Sequence, residues 1–276
     1  MFQKSGIFII SALVTVVTFA VMIYMPKTFS DEQVKERQQK ERQTAFFQDL
    51  KKIKSEIDPK IAAQSLIWEE ELKSGGEMYV YDSLVHLWDR AMYPQVAAYF
   101  FASKAEKLQT VADWNMAGKR FLAVSAFSGE GNREWALDNA QYAFEQALKL
   151  DPENKEARVK LAASIVESGQ DPMKGIGLLR EVVAEDPENV EALMELGRFA
   201  MVSGQPDKAV GHFSNVMAID SSIAEVRFYL SDAYGALGNM DSSMKYLNLY
   251  MKKVPNDLVA QQVKDYMKTT YGLVSE

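Results

Sequence analysis

The pattern of hydrophobic and polar residues divides the chain into a short apolar start and a long helical remainder. Residues 6–25 (GIFIISALVTVVTFAVMIYM) are mostly apolar and contain no charged residue. A helix of about 20 apolar residues crosses a bilayer, so this run predicts one membrane-spanning helix. Cleaved secretory signals have a shorter apolar core and end in small residues. The run ends in Tyr24-Met25-Pro26, which favours a retained anchor.

Basic residues near this run give conflicting indications about the side of the membrane on which the body lies. Lys4 precedes the run, and the basic residues that follow it are Lys27, Lys35, Arg37, Lys40 and Arg42. The positive-inside rule places the end richer in Lys and Arg in the cytoplasm, so the count favours a cytoplasmic body. A short basic tail before an uncleaved apolar run is typical of a signal anchor with an exported body. We expect a periplasmic or otherwise extracytoplasmic body, with the cytoplasmic one as the alternative.

A polar helix is predicted to follow the anchor, from Ser30 to about Ile57. Gln, Lys, Arg and Glu dominate it, and it contains no Gly or Pro. Residues 46, 50, 53 and 57 are apolar and share one helical face. This face either packs on the rest of the chain or forms a short coiled coil between two chains. Asp58-Pro59 ends the helix, and a second amphipathic helix is predicted from Lys60 to Lys73.

Beyond Gly76, small and large apolar residues recur at a period near 34 residues. One segment reads Trp114-x2-Ala117-Gly118-x2-Phe121. The other half of the pattern reads Ala97-x3-Phe101, Ala140-x3-Phe144, Gly175-x3-Leu179, Ala209-x3-Phe213 and Ser243-x3-Leu247. Eight residues after each large apolar position lie Gln109, Pro152, Pro187, Ser221 and Pro255. From about Met78 to Pro255 the chain resembles the tetratricopeptide repeat family, which implies an all-α solenoid of helical hairpins.

Packing accounts for the residue types in this pattern. Small residues such as Ala140 and Ala209 let the two helices of a hairpin approach closely, and Phe144 and Phe213 fill the space beside them. The hairpin that starts at Trp114 has more residues than the others, which indicates either longer helices or an extended loop at residues 128–132.

These observations predict an all-α protein with four regions. Residues 1–29 are the N-terminal tail and transmembrane anchor, and residues 30–76 form a polar helical stalk or linker. Residues 77–255 form the solenoid of about five helix pairs. Residues 256–276 are a capping helix and tail, in which Gln261, Lys264 and Lys268 face water.

Composition and motifs argue against several functions. The formal net charge of −7 and the lack of a basic stripe argue against a nucleic-acid partner. No cysteine is present, and the two histidines, His86 and His212, lie on different predicted hairpins with no second ligand at metal spacing. No catalytic or nucleotide-binding motif occurs. The sequence therefore predicts no cofactor, no metal and no enzymatic activity.

The resemblance implies a binding groove lined by alternate positions of each first helix of a hairpin. Projection of the repeat onto this sequence places in the groove Tyr79, Asp82, His86, Asn115, Lys119, Val159, Lys160, Ala163, Met194, Glu195, Arg198, Phe228, Tyr229 and Asp232. Aromatic, Met and charged residues of both signs suit an extended peptide or a partner helix. The acidic residues argue against the terminal carboxylate of chaperones, the best-known ligand of this family.

The sequence predicts a membrane-anchored scaffold or assembly factor of the cell envelope. It would dock a protein or peptide partner on the solenoid and contact the lipid bilayer through its N-terminal helix. The alternative is an oligomeric structural stalk, in which the polar helix joins copies of the chain and spaces the solenoid from the bilayer.

Overall fold

The structure is a computed structural model that describes residues 31–254 and 258–272, and within these ranges it contains helices and no strand. The helices in chain order are α1 (Asp31–Glu56), α2 (Pro59–Lys73), α3 (Met78–Arg90), α4 (Pro94–Leu108), α5 (Val111–Phe127), α6 (Glu130–Leu150), α7 (Lys155–Ser168), α8 (Pro172–Glu185), α9 (Val190–Val202), α10 (Pro206–Ile219), α11 (Glu225–Ala236), α12 (Met240–Met251) and α13 (Leu258–Tyr271).

The chain divides into two compact units, residues 1–45 and residues 46–276. In the described part of the first unit, Arg37 and Glu41 form an exposed ion pair across one helical turn, at 2.9 Å. None of the helices within the described residues is long and apolar enough to cross a membrane. The span predicted at residues 6–25 lies outside the described residues.

Five helical hairpins follow one another in the second unit, each a pair of adjacent helices packed against each other. The pairs are α3/α4, α5/α6, α7/α8, α9/α10 and α11/α12. Capping residues and prolines mark the starts of these helices. Asn154 and Asn189 each accept a hydrogen bond at the N-terminus of a first helix, and Pro94, Pro172 and Pro206 begin second helices. The predicted all-α solenoid is confirmed for the described residues.

Small residues allow the close helix contacts that the repeat pattern predicts. A Cβ atom on Gly118 would lie 2.5 Å from the ring of Phe144, and one on Gly197 would collide with the ring of Phe213. Both rings are fully buried, as are Ala140 and Ala209. The small residues therefore make room for the large ones, as we expected from the sequence.

The apolar face of α1 packs on the repeats of its own chain. Phe46 and Leu50 are buried, and the ring of Phe46 stacks on Trp135 of α6 at a centroid distance of 4.1 Å. Ile53 and Ile57 pack against the same cluster. Of the two alternatives for this face, the structure shows packing of these four side chains within the chain.

The longest hairpin owes its length to its helices. Helix α5 has 17 residues and α6 has 21, and only Ser128 and Gly129 separate them. Gly131 and Asn132 belong to α6, so the extended loop that the sequence allowed is absent.

The C-terminal helix α13 covers the last hairpin. Its Ala260 and Met267 are buried, whereas Gln261 and Lys268 are exposed and Lys264 is half-buried. The ring of Tyr271 lies over Gly235 of α11, where a Cβ atom would approach it to 2.9 Å. Pro255, the last proline of the repeat pattern, lies outside the described residues.

Candidate protein-binding surface

The predicted groove residues lie on α3, α5, α7, α9 and α11, the first helices of the five hairpins, and we call this set the first-helix surface. Ion pairs join consecutive first helices across it. Lys119 Nζ of α5 lies 2.8 Å from Glu156 Oε1 of α7, and Lys160 Nζ of α7 lies 2.6 Å from Glu191 Oε1 of α9. Both glutamates lie in the first turn of their helices, where a negative charge also interacts favourably with the helix dipole.

Asn115 is buried and links two helices instead of facing solvent. Its side chain is 5% exposed, and its Nδ2 donates to Asn154 Oδ1 at 3.2 Å and to Glu156 Oε2 at 3.5 Å. Asn154 in turn accepts from the backbone N–H of Ala157 at the start of α7. Asn115 therefore ties α5 to the N-terminus of α7, while its own Oδ1 has no hydrogen-bond partner among the described residues.

Glu195 is the most buried acidic residue of the first-helix surface, with 8% exposure. Arg198 Nη1 contacts its carboxylate at 2.9 Å, and Arg198 Nη2 lies 3.7 Å from Glu167 of α7. Burial raises the pKa of Glu195, and the positive charges of Arg198 and Lys160 oppose that rise. The centre of the surface thus holds a carboxyl group whose charge depends on its neighbours.

Helix α13 occupies the end of the first-helix surface at the last hairpin. The hydroxyl groups of Tyr266 and Tyr271 both donate to Asp232 Oδ1 at 2.9 Å. Burial and the adjacent Asp232 carboxylate raise the pKa of both tyrosines. Phe228 packs with Met267, and its ring centroid lies 6.1 Å from that of Tyr266. Phe228 and Asp232 therefore already contact residues of α13.

The remaining predicted residues differ in how accessible they are. His86 is exposed, and Asp82 pairs with Lys104 of the second helix at 2.5 Å. Tyr79 is 55% exposed and donates to Glu71 Oε1 at 3.0 Å. Met194 is half-buried, and the ring of Tyr229 stacks on that of Phe213 at a centroid distance of 5.1 Å. Val159 is fully buried and Ala163 is 4% exposed.

A second concavity, which the sequence did not reveal, lies between α1, α2, α3 and α4. This N-terminal cleft has a volume of about 520 Å³ and is mostly apolar. Its lining residues are Phe47, Leu50, Lys51, Lys54, Leu66, Glu69, Leu72, Lys73, Tyr81, Tyr99, Phe100 and Ser103. Phe47 and Leu66 lie outside the repeat pattern, so no periodicity associates them with the repeats.

A chain of polar contacts runs from the core to the N-terminal cleft. Trp88 Nε1 donates to Ser65 Oγ at 3.2 Å, and Ser65 donates to Glu69 Oε1. Lys54 Nζ lies 2.6 Å from the same carboxylate. Ser65 is fully buried, and the side chains of Lys54 and Glu69 are 16% and 20% exposed. The residues of this network come from three helices, so no local sequence pattern reveals that they contact one another.

The two histidines lie on different hairpins, as the sequence predicts. The part of the chain that the structure describes contains no group of three or more His, Cys, Asp or Glu residues that could hold a metal ion. His86 lies on α3 and His212 on α10. Burial, with the positive charges of Arg180 and Lys208, lowers the pKa of His212 and favours its neutral form.

Comparison with known families identifies the repeats. Two models described as tetratricopeptide repeat match residues 166–222 and residues 225–257. Over these residues the chain carries tetratricopeptide repeats. The matched residues begin at the end of α7 and include α8 to α12. They coincide with the hairpins whose two helices are most nearly equal in length. A search of curated proteins gives no match.

Solved structures of tetratricopeptide proteins share the fold at low sequence identity. TTC0263, a thermophilic protein of this kind from Thermus thermophilus, is 13% identical with a TM-score of 0.53, over 71% of this chain and 100% of that one. PilW, a widely conserved type IV pilus biogenesis factor, is 17% identical with a TM-score of 0.50, over 75% of this chain and 99% of that one. These similarities support the solenoid fold.

Proposed function

We propose that this tetratricopeptide protein is a membrane-anchored scaffold that docks a partner protein or peptide on its first-helix surface. The observation that carries the proposal is the series of charged side chains of both signs that links consecutive first helices, from Lys119 with Glu156 to Lys160 with Glu191 and Arg198 with Glu167. These pairs are partly exposed, so a peptide with its own charges can exchange partners with them.

Apolar contacts complete the proposed docking surface. Met194 and Tyr229 are half-buried on neighbouring first helices and leave part of their side chains at the surface. Met adapts its shape to a partner, and Tyr offers a large contact area that loses little conformational freedom. A surface that combines such groups with charged pairs suits a peptide that lies across several repeats.

The anchor predicted at residues 6–25 would hold this surface close to the membrane. Confinement raises the effective concentration of a membrane-bound partner, so a weak docking surface suffices. We propose an extracytoplasmic body and an assembly role in the cell envelope, on the basis of the anchor pattern described above.

Site-specific photo-crosslinking in native membranes tests this proposal. A photo-reactive amino acid is placed in the full chain at His86, which is exposed on α3, or at Lys119 on α5. The matched control position is Arg180, which is exposed on the second helix α8. We expect a discrete crosslinked product from the two first-helix positions and none from Arg180.

Charge reversal at the first-helix surface gives a second readout. Lys160→Glu should reduce the product formed from position 86 or 119 if the partner lies along the surface, whereas Arg180→Glu should leave it unchanged. Equal crosslinking from all three positions, or a product insensitive to Lys160→Glu, would remove the first-helix surface as the docking site.

A further inference from the structure

The N-terminal cleft differs from the first-helix surface in both place and chemistry. It lies between the two helices that precede the repeats, α1 and α2, and the first hairpin, α3 with α4. Its volume of about 520 Å³ falls within the range of about 300–1,000 Å³ that is usual for sites that bind small molecules. Such sites are mostly apolar and contain a few polar groups at fixed places, and the cleft has this character.

Two apolar residues of the cleft leave large parts of their side chains uncovered. Phe47 of α1 is 43% exposed and Leu66 of α2 is 56% exposed. The ring of Phe47 is held by an edge-to-face contact with Tyr99 of α4, at a centroid distance of 5.5 Å. Behind them, Leu50 and Phe100 are buried and close the cleft toward the core. A ligand with an apolar body would remove the exposed area of Phe47 and Leu66 from water, which favours binding.

The charged residues of the lining leave one cation without a partner. They are Lys51, Lys54 and Lys73, with Glu69 as the single carboxylate. Lys54 and Glu69 neutralise each other at 2.6 Å. Lys73 pairs at 3.1 Å with Glu70, just outside the lining, and these two side chains are 72% and 71% exposed. Lys51 is exposed and forms no ion pair or side-chain hydrogen bond within the residues that the structure describes.

The opposite wall of the cleft is polar without charge. Among the lining residues, those of α3 and α4 carry no charge, and their polar groups are the hydroxyls of Tyr81, Tyr99 and Ser103. Burial raises the pKa of both tyrosines, and the carboxylate of Glu106, which lies outside the lining, raises them further. Both tyrosines are therefore neutral at pH 7. The cleft thus has its cations on the side of α1 and α2 and neutral groups on the side of α3 and α4.

We infer that the N-terminal cleft binds a free amphipathic anion of small-molecule size. Its apolar body covers Phe47 and Leu66, and its carboxylate head pairs with Lys51. The exposed pair of Lys73 with Glu70 is weak, so the same head can take Lys73 as a second partner. A cationic amphiphile would instead bring a like charge to Lys51. The inference is independent of the proposed docking, because no lining residue belongs to the first-helix surface.

Photo-crosslinking with a fatty acid tests this inference. The full chain is reconstituted in phosphatidylcholine nanodiscs and irradiated with dodecanoate that carries a diazirine in its chain, and mass spectrometry locates the adducts. We expect adducts at cleft residues such as Phe47, Leu66 and Tyr99. Unlabelled dodecanoate should suppress them at a concentration at least about threefold lower than dodecyltrimethylammonium, which has the same apolar body and a cationic head.

Two matched pairs of variants test the head and the body of the ligand separately. Lys51→Gln should reduce the adducts at least about threefold, and Lys52→Gln should not, because Lys52 is also exposed on α1 but lies outside the lining. Leu66→Trp places a larger side chain in the cleft and should suppress the adducts. Ile67→Trp should not, because Ile67 is 61% exposed and lies outside the lining. All four positions are exposed, so thermal melting by circular dichroism should stay unchanged.

The remaining outcomes would overturn the inference. Adducts spread along the chain, or equal competition by the two amphiphiles, would show apolar partitioning without a site. Adducts insensitive to Lys51→Gln would remove the anion from the inference. A photo-reactive amino acid at Leu66 that yields a protein adduct in native membranes, without dodecanoate adducts in the cleft, would assign the cleft to a partner protein. The crosslinks expected from positions 86 and 119 are read separately and are unaffected by any of these results.

Discussion

At the scale of single residues, the hairpins depend on glycines that lie against aromatic rings. Gly118 and Gly197 lie directly beneath the rings of Phe144 and Phe213, and the rings leave no room for a methyl group. Gly177 and Gly211 also lie within helices, but apart from the neighbouring backbone of their own helices no atom comes within 4 Å of a Cβ placed on them. The same residue type therefore serves packing at one position and not at another.

This contrast gives a matched pair of substitutions. Gly118→Ala should destabilise the protein by about 1–3 kcal/mol, because the methyl group must displace the Phe144 ring. Gly177→Ala should be neutral or stabilising by up to about 1 kcal/mol, because Ala favours a helix over Gly. Urea denaturation of both variants measures the difference. Equal midpoints would show that α5 packs against α6 loosely enough to admit the methyl group.

Glu195 gives a prediction about pH. Its pKa is raised in the folded state by burial, so the folded protein binds a proton more tightly there than the unfolded chain does. The contribution of this group is therefore fully present below the ordinary Glu pKa of about 4.3 and is lost as pH rises through the folded pKa. Stability of the parent relative to Glu195→Gln should fall over that window and level off above it.

Urea midpoints of the two proteins from pH 4 to pH 7 check this expectation. Arg198, Lys160, Glu167 and Glu191 face the same carboxyl group and are present in both proteins, so the comparison isolates the change at position 195. Parallel pH curves would mean that the positive charges of Arg198 and Lys160 offset the effect of burial on the Glu195 pKa completely.

At the scale of elements, the N-terminal helices are joined to the repeats by the polar chain from Trp88 through Ser65 and Glu69 to Lys54. Removal of Lys54 leaves a mostly buried carboxylate without its cation, which costs more than the loss of an exposed ion pair. The exposed pair of Lys73 with Glu70 in the same region, with side chains 72% and 71% exposed, provides the comparison.

We expect Lys54→Met to destabilise the protein by about 1–3 kcal/mol and Lys73→Met by less than about 0.5 kcal/mol. Thermal and urea unfolding of the two variants measure both effects. The double variant Lys54→Met with Glu69→Leu should recover part of the loss, because no unpaired charge remains. A single variant at Lys54 as mild as that at Lys73 would show that water already solvates the pair.

The sequence predicted elements well and contacts between distant elements poorly, for a physical reason. Helix starts and small-residue positions depend on local sequence, so Asp58-Pro59 marks a boundary by itself, and α2 begins within one residue of the predicted start. The contacts that join groove residues to the next first helix span 31 to 41 positions, as for Lys160 with Glu191 and Asn115 with Glu156. Periodicity predicted a common helix face for these residues, but it could not predict that they contact one another.

At the scale of the whole molecule, the described hydrophobic clusters draw on residues from Phe46 onward. Deletion of residues 1–29 should therefore leave a helical protein with a single cooperative melting transition, because the repeats stabilise one another through nearest-neighbour contacts. Circular dichroism of the shortened chain measures this. A broad, non-cooperative transition would show that the N-terminal residues take part in the fold.

The position of α13 has a consequence for how long this protein can become. Tyr266 donates to Asp232 across a separation of 34 residues, the period of the repeat, so α13 contacts the side of α11 that the first helix of another hairpin would contact. A duplicate of the last hairpin inserted before α13 would present the same first-helix residues to it. Helix α13 can thus cap solenoids with different numbers of hairpins. Gene duplication can therefore lengthen the solenoid without a different capping helix.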